Sequence, residues 1–211
     1  MDAKPPRLML FTPKVADAAA FAAPLGEAMS VGDVAAVVLD LADSDERALV
    51  NAVKRLAPIV QSRDTALLVA DRPQIVARGG ADGLHVSQPS ELGAAFDSLR
   101  NQDRIVGTGG MRLRDDAMTA AETGVDYVMF GDRRGDGTFP PLDSVVERCS
   151  WWAGIFEVPC VGFAPELDAI DDLAVTGAEF VALAEPVWSH ADGPAAIVRS
   201  ALQRLASRMP A

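Results

Sequence analysis

The sequence has few cysteines and no long apolar run. Its two cysteines, Cys149 and Cys160, cannot supply a disulfide framework or a cysteine-rich metal site, and we interpret both as reduced thiols. No run of about 18 consecutive apolar residues occurs, so no membrane-spanning helix is predicted. The N-terminus lacks a signal-peptide pattern. These absences favour a cytoplasmic protein without a membrane partner.

Positive charge is also scarce. The chain has 19 Lys and Arg residues against 30 Asp and Glu residues, and its net charge is −11 at pH 7. Nonspecific nucleic-acid binding needs clustered Lys and Arg, so no nucleic-acid partner is predicted. A local basic group can still hold an anion, and we expect a small-molecule ligand. The length of 211 residues predicts a single domain over 1–211.

A strand, a short helix and a second strand follow one another between residues 66 and 88. Ala66–Ala70 is an apolar run of strand length, and Asp71 follows it as a candidate helix N-cap. Gly79-Gly80 ends the helix before the second strand, Leu84–Val86. Two strands joined in this way form a parallel βαβ unit. Ligand sites in such folds lie at the carboxyl ends of the strands.

A glycine, a small residue and an acidic residue precede several predicted strands. The triplet occurs as Gly80-Ala81-Asp82, Gly124-Val125-Asp126 and Gly177-Ala178-Glu179, with a looser copy at Gly32-Asp33-Val34. The four glycines are separated by 44 to 53 residues, which suits two βα units rather than one. Four double units predict a single (β/α)8 TIM barrel, with these acidic residues as structural groups at its lower face.

The remaining elements can be placed along the chain. Residues 1–6 are expected to form a disordered lead, and Asp132–Pro141 is the longest irregular region, where function is often found. The predicted strands are Leu8–Phe11, Ala35–Leu41, Ala66–Ala70, Leu84–Val86, Arg104–Thr108, Tyr127–Gly131, Pro159–Phe163 and Phe180–Leu183. The further predicted helices are Asp17–Met29, Asp45–Gln61 (with Ser44 as the alternative cap), Ser90–Arg100, Leu113–Thr123, Pro141–Phe156, Glu166–Thr176 and Gly193–Ser207.

The chain resembles the thiamine phosphate synthases and the related thiazole tautomerases over nearly its whole length. The resemblance is clearest in GADGLHVSQ, where the family has GADGVHLGQ, and in Asp71-Arg72, where it has Asn-Asp-Arg. It continues in ETGVDYVMFGD and TGAEFVALAEPVW. It implies a transferase of thiamine biosynthesis that joins hydroxymethylpyrimidine diphosphate to thiazole phosphate and releases pyrophosphate. It also implies a homodimer.

The resemblance further implies Mg²⁺ and cations around the leaving pyrophosphate, whose negative charge grows in the transition state. Asp71 matches the first metal-binding aspartate, but the second position is Ser90, a poor Mg²⁺ ligand. The family's Gln-x-Arg-x-Lys positions are Val38, Asp40 and Ala42. Glu185 stands where the family has a small or hydroxyl residue, and a carboxylate there repels phosphate. The active site is therefore predicted to be diverged.

The candidate site residues follow from these matches. Asp40 and Glu185 are candidate catalytic bases, and Asp71 is the candidate metal ligand. His85 lies within a strand and is assigned to barrel packing or a hydrogen bond. The candidate substrate-binding residues are Arg72, Gln88, Thr108, Asp132, Arg133, Arg134 and Gly162. The side chains predicted to point into the cavity are Val38, Asp40, Asp71, Gln88, Thr108, Asp132 and Glu185.

Three functions stay open. The first is a working synthase in which Arg72, Arg133, Arg134 or Lys14 replaces the lost cations. The second is a diverged barrel that binds a thiazole or pyrimidine without phosphates. The third is a non-catalytic binding or regulatory protein. The substitutions all change charge in the same direction, so they favour a synthase-like protein with weak or altered activity.

Overall fold

Eight parallel strands close into a barrel in the order β1 to β8. The computed structural model describes residues 5–99 and 102–207. The strands are β1 (Arg7–Phe11), β2 (Val34–Leu39), β3 (Ala66–Ala70), β4 (Gly83–Val86), β5 (Ile105–Thr108), β6 (Tyr127–Phe130), β7 (Cys160–Ala164) and β8 (Phe180–Leu183). Strand β1 pairs with both β2 and β8, which closes the sheet. The predicted single (β/α)8 TIM barrel is confirmed.

Helices connect the strands and cover the outside of the barrel. None of those in the described ranges combines the length and apolar character needed to cross a membrane. Among the described residues they are α1 (Ala18–Met29), α2 (Glu46–Gln61), α3 (Pro73–Gly79), α4 (Leu92–Ser98), α5 (Arg114–Glu122), α6 (Leu142–Ala153), α7 (Ala169–Leu173), α8 (Glu185–Ser189) and α9 (Pro194–Ser207).

Several predicted boundaries differ from the structure. The predicted helix Ser90–Arg100 starts as a separate 3-10 turn at Pro89–Glu91, and its predicted end at Arg100 lies outside the described residues. Helix α7 is shorter than predicted. Helix α8 was not predicted. Of the predicted lead, residues 1–4 lie outside the described part, Pro5 is exposed and Pro6 is buried.

The repeated acidic residues have a definite structural role. Asp82 precedes β4, and its Oδ2 accepts a hydrogen bond of 2.7 Å from the backbone amide of Leu67 at the start of β3. Asp126 accepts a bond of 2.7 Å from the Val106 amide in the same way. Each carboxylate thus satisfies an amide at the lower end of the preceding strand, and an unpaired amide there would be costly. Asp82 and Asp126 are structural, as predicted.

Glu179 repeats this arrangement at β7, where its Oε2 accepts a bond of 2.9 Å from the Cys160 amide. The looser copy at Asp33 pairs instead with the Arg7 side chain on β1, at 2.7 Å. Three of the four double units thus share a hydrogen bond from an amide near the start of an odd-numbered strand to the acidic residue before the next strand, and the first unit has an ion pair at the same place.

One apolar cluster lies on each face of the sheet, because successive side chains of a strand point to opposite faces. The larger cluster lies between strands and helices and includes Trp152, which is fully buried. The smaller cluster fills the barrel interior and includes Met9, Val38, Leu68 and Tyr127. The filled interior leaves the mouth of the barrel as the place for a ligand.

Candidate active site

A cavity of about 1340 Å³ opens at the carboxyl ends of the strands. This is the end at which TIM barrels place their ligands. The predicted site residues that line it are Asp40, Asp71, Gln88, Ser90, Asp132, Arg133, Arg134 and Glu185. Asp40 and Glu185 therefore face one shared cavity. The prediction that substitutions make the ligand site more negative requires this placement.

Arg72 was predicted to contact substrate, but the structure directs its side chain elsewhere. Its Nη2 donates to the carbonyl oxygen of Leu41 and to the carboxylate of Asp43, in the loop between β2 and α2. The Arg72 guanidinium lowers the pKa of the exposed Asp43 carboxyl. The prediction that Arg72 binds substrate is corrected, because its guanidinium pairs with the carboxylate of Asp43 instead.

Three further predicted positions also lie away from the cavity. Thr108 is fully buried on the outer side of β5, and its Oγ1 donates to the Val86 carbonyl at 2.9 Å. Gly162 faces the helices, since a Cβ there would lie 2.9 Å from Leu173 Cδ2. Val38 points inward but belongs to the buried cluster below the mouth. The strand register turns Thr108 and Gly162 outward, and Val38 lies too deep in the barrel. Neither property could be predicted from the sequence.

Asp40 is held at the end of β2 by its backbone. Its amide donates to Thr12 Oγ1 at 3.0 Å, and its carbonyl accepts from the Val15 amide at 2.8 Å. Burial raises the pKa of the Asp40 carboxyl, Lys14 opposes this shift, and the carboxylate of Asp71 adds to it. Asp40 is therefore half-buried between an ammonium group and a second carboxylate.

Asp71 links the ends of β3 and β4. Its Oδ1 accepts a hydrogen bond of 2.7 Å from the Ser87 amide, and its own amide donates to the His85 carbonyl at 2.9 Å. Its φ is +52°, a left-handed conformation that is uncommon outside glycine and asparagine. The predicted N-cap role is wrong: Arg72 occupies the cap position of α3, and no side chain caps that helix.

The donor set at Asp71 can be compared with the needs of Mg²⁺. Within residues 5–99 and 102–207, no group of three or more His, Cys, Asp or Glu side chains is arranged to hold a metal ion. Mg²⁺ commonly takes only one or two carboxylates, with phosphate oxygens and water completing its shell. Asp71, with Asp40 near enough to interact electrostatically, fits that requirement, and Ser90 lines the same cavity.

The loop after β6 folds into an ordered turn at the mouth. The Arg134 amide donates to the Thr138 carbonyl at 2.7 Å, and the Gly137 amide donates to the Arg134 carbonyl at 2.8 Å. Asp136 Oδ1 accepts from both the amide and the hydroxyl of Thr138, and these hydrogen bonds lower its pKa. The turn brings Arg133 and Arg134 to the cavity wall.

Aromatic rings also line the cavity, next to these arginines. Phe139 stacks on Phe163 at a centroid distance of 5.6 Å, and Phe163 meets Phe11 edge-on at 6.0 Å. The Arg133 guanidinium lies 5.8 Å from the Phe139 ring while its Nε donates to the Gly137 carbonyl. The cavity thus offers flat apolar surfaces beside cationic groups.

Asp132 joins the ends of β5 and β6. Its Oδ2 accepts a hydrogen bond of 2.9 Å from the Gly110 amide. Burial raises the pKa of Asp132, while the Gly110 amide and the nearby Arg112 lower it. Arg112 also lines the cavity, and it was not predicted because it follows β5 by several residues. With Lys14, Arg133 and Arg134, the lining contains four cationic side chains among the described residues.

His85 lies on the floor of the cavity. Its Nδ1 is 2.8 Å from the Tyr127 hydroxyl, which satisfies the predicted hydrogen bond. Its ring is nevertheless part of the cavity lining, which the sequence analysis did not anticipate. Burial lowers its pKa to about 4, although the carboxylate of Asp71 opposes this. The imidazole is therefore neutral at pH 7.

A closed parallel barrel with a cavity at the carboxyl ends of its strands, lined by charged and aromatic residues, defines a TIM-barrel protein whose ligand site lies at the barrel mouth. Residues 8–187 match the family model of thiamine monophosphate synthase. The chain is 41% identical to the thiamine-phosphate synthase of Rhodospirillum centenum over 194 residues, covering 91% of this chain and 94% of that protein. The chain belongs to the thiamine monophosphate synthase family, which acts in thiamine biosynthesis.

Other relatives agree with this assignment. The thiamine-phosphate synthase of Hyphomonas neptunium is 32% identical, with 92% of this chain and 91% of that protein covered. The solved thiamine phosphate pyrophosphorylase from Pyrococcus furiosus has a TM-score of 0.79 at 18% identity and covers 97% of both chains. A solved 3-hexulose-6-phosphate synthase has a TM-score of 0.70 at 15% identity, with 93% of this chain and 98% of that chain covered. At these identities, the two solved structures support the fold alone.

Proposed function

We propose that this cavity joins hydroxymethylpyrimidine diphosphate to thiazole phosphate, and that it does so weakly. The observation that carries the proposal is the set of four cations, Lys14, Arg112, Arg133 and Arg134, around a mouth built from family motifs. They provide positive charge for phosphate groups, although the β2 positions of the family's cations carry none here. The protein is proposed to be a cytoplasmic transferase.

The low rate follows from where the charges lie. The leaving pyrophosphate needs compensation as its charge grows, and one misplaced donor can cost on the order of 10²–10³ in rate. Arg133 already donates to Gly137, and Arg112 lies beside Asp132, so part of their charge is directed at the protein itself. Asp40 and Glu185 add negative charge to the same cavity.

The side chains divide the remaining work. Loss of pyrophosphate from the pyrimidine diphosphate would leave a pyrimidine carbocation, and Phe11, Phe139 and Phe163 would exclude the water that could otherwise capture it before the thiazole nitrogen does. Asp71 would hold Mg²⁺ through its carboxylate. When bound, that ion would neutralise charge on the leaving pyrophosphate.

A specific observation favours a second candidate, a ligand with fewer negative charges. In the part of the chain that the structure describes, five carboxylates line the same cavity: Asp40, Asp71, Asp116, Asp132 and Glu185. Asp40 has a raised pKa, caused mainly by burial, and a raised pKa suits a general base for proton transfer. A thiazole or pyrimidine lacking phosphates would meet less repulsion here than a diphosphate.

A direct assay with the pyrimidine diphosphate, the thiazole phosphate and Mg²⁺ tests the proposal. We expect thiamine phosphate to form below the usual enzyme range of about 1–10³ per second. The variant with Asp40→Arg, Ala42→Lys and Ser90→Asp should turn over faster, because it restores the charges of the family's pyrophosphate site. Turnover of the unaltered protein within the usual range refutes the weak-activity claim, and binding of only the dephosphorylated compounds favours the second candidate.

We also propose that the protein is a homodimer, on the basis of the family resemblance. Light scattering at several protein concentrations tests this, and a monomeric mass throughout would refute it.

A further inference from the structure

Tyr127 reaches His85 across an intervening strand. His85 on β4 is in register with Gly107 on β5, and Gly107 is in register with Tyr127 on β6. A Cβ at Gly107 would lie only 1.9 Å from Tyr127 Cε1, so the phenol ring occupies the space that a side chain would need. The absence of a side chain at Gly107 therefore allows the contact between the phenol and the imidazole.

The Tyr127 hydroxyl has a single hydrogen-bond partner within the described ranges, Nδ1 of His85 at 2.8 Å. The phenol is 5% exposed, and burial raises its pKa, so its proton is retained at neutral pH. A buried hydroxyl proton without an acceptor is costly. The phenol must therefore donate to Nδ1, which leaves the single proton of the neutral imidazole on Nε2.

The Nε2 atom faces the cavity. It has no hydrogen-bond partner among the described residues. Since no buried side-chain nitrogen or oxygen of these residues lacks a partner, Nε2 is not a buried atom. A Cβ at Gly109 would lie 3.3 Å from Nε2 and 3.2 Å from Asp132 Oδ2. A side chain at Gly109 would therefore crowd both atoms, and its absence leaves space beside them.

We propose that His85 presents a neutral Nε2–H donor to a hydrogen-bond acceptor of the bound ligand, and that Tyr127 is a positioning residue that fixes this tautomer. The identity of the ligand rests on the proposed function, but the tautomer does not. A neutral donor directs an acceptor atom, such as a ring nitrogen or a phosphoryl oxygen, without adding charge to the site.

Nitrogen NMR of ¹⁵N-labelled protein tests the tautomer directly. The chain has two histidines, so His190→Gln assigns the His85 signals. We expect the Nε2–H tautomer in the unaltered protein, loss of this preference in Tyr127→Phe, and a shift of the Nε2 signal when the pyrimidine diphosphate is added with Mg²⁺. The Nδ1–H tautomer in the unaltered protein would overturn the proposal without the need for any variant.

Two substitutions of His85 test whether a hydrogen-bond donor at the place of Nε2 is sufficient without the imidazole ring. The amide nitrogen of His85→Gln reaches the place of Nε2, whereas that of His85→Asn reaches the place of Nδ1. Titration calorimetry with the pyrimidine diphosphate should show His85→Gln retaining more affinity, with about a tenfold loss in His85→Asn and Tyr127→Phe. Equal affinities for all four proteins overturn the proposal.

The outcomes also separate this inference from the proposed function. The Nε2–H tautomer in a protein that makes no thiamine phosphate supports the inference and overturns the function. The Nδ1–H tautomer in a protein that makes it overturns the inference alone.

Discussion

Asp71 and Ser87 are joined by a hydrogen bond of 2.7 Å from the Ser87 amide to Asp71 Oδ1. Asp71 adopts its left-handed φ of +52° at the point where this bond forms, just beyond the end of β3. The bond ties β3 to the end of β4, where Gln88 and Ser90 follow on the cavity rim. The same carboxylate thus organises the mouth of the barrel and faces its ligand space.

Replacing Asp71 should separate these two roles. Asp71→Asn retains an acceptor oxygen and tolerates the left-handed backbone, whereas Asp71→Ala loses the bond and strains the backbone. We expect Asp71→Ala to lower the free energy of unfolding by about 1–3 kcal/mol and Asp71→Asn to lower it less. Urea unfolding at pH 7 measures both variants. Equal losses would show that the hydrogen bond does not stabilise the rim.

The stability effect of Asp132 should depend on pH. Its folded-state pKa is raised, mainly by burial, so its ionised form is disfavoured in the folded protein. Stability therefore falls as the pH rises from the ordinary carboxyl pKa of 3.8, which applies to the unfolded chain, through the higher folded-state pKa. Asp132→Asn, whose oxygen can still accept from Gly110, should be more stable than the unaltered protein at pH 7. This advantage should vanish below about pH 4.

Asp136 provides the control of opposite sign. Its hydrogen bonds from Thr138 lower its folded-state pKa, so its contribution is present above the unfolded pKa and is lost as the pH falls through the folded value. Asp136→Asn should therefore destabilise the protein at pH 7 and have little effect in acid. Thermal unfolding across pH 3–7 compares the two variants. If Asp132→Asn and Asp136→Asn changed the stability at pH 7 in the same direction, the opposite pKa shifts assigned to the two carboxyls would be contradicted.

Gly107 should tolerate no side chain. A Cβ there would overlap the Tyr127 ring, so Gly107→Ala is expected to lower the free energy of unfolding by about 1–3 kcal/mol. Gly26 in helix α1 is the matched control, because a Cβ at that position meets nothing within 4 Å. Gly26→Ala should raise stability by about 0.5–1 kcal/mol. Urea unfolding measures the stability of both variants. If Gly107→Ala leaves the free energy of unfolding unchanged, the Tyr127 ring does not occupy the space beside Gly107.

The arginines of the β6 loop should bind phosphate groups. Replacing Arg133 and Arg134 together with alanine should weaken pyrophosphate binding about tenfold, because charge-assisted hydrogen bonds are lost. Arg63 precedes β3 at the other end of the barrel, so Arg63→Ala changes charge without touching the cavity. Titration calorimetry at two salt concentrations compares the variants. Similar losses for both would indicate a long-range effect of net charge rather than contact.

The sequence determined the barrel because the required information is local and repeated. Alternation of apolar runs with helix signals gives eight βα units, and the acidic residue of each triplet stabilises the lower end of a strand, as Asp82 does for Leu67. Matched residue by residue, the family resemblance also placed Asp40, Asp71 and Glu185 at the cavity, because those motif positions lie at or just after the ends of strands. Position after a strand was not enough by itself, since Arg72 also follows β3 and points elsewhere.

Tertiary structure decided which neighbouring side chains face the cavity. Inward and outward positions alternate along a strand, so an assignment displaced by one residue exchanges the faces. Thr108 was predicted to face the ligand, but the inward positions are those of the neighbouring glycines, Gly107 in β5 and Gly109 just beyond its end. The pair of His85 and Tyr127 depends on the register of three strands across the side-chain-free Gly107. No local pattern encodes that register, which is fixed only when the barrel closes.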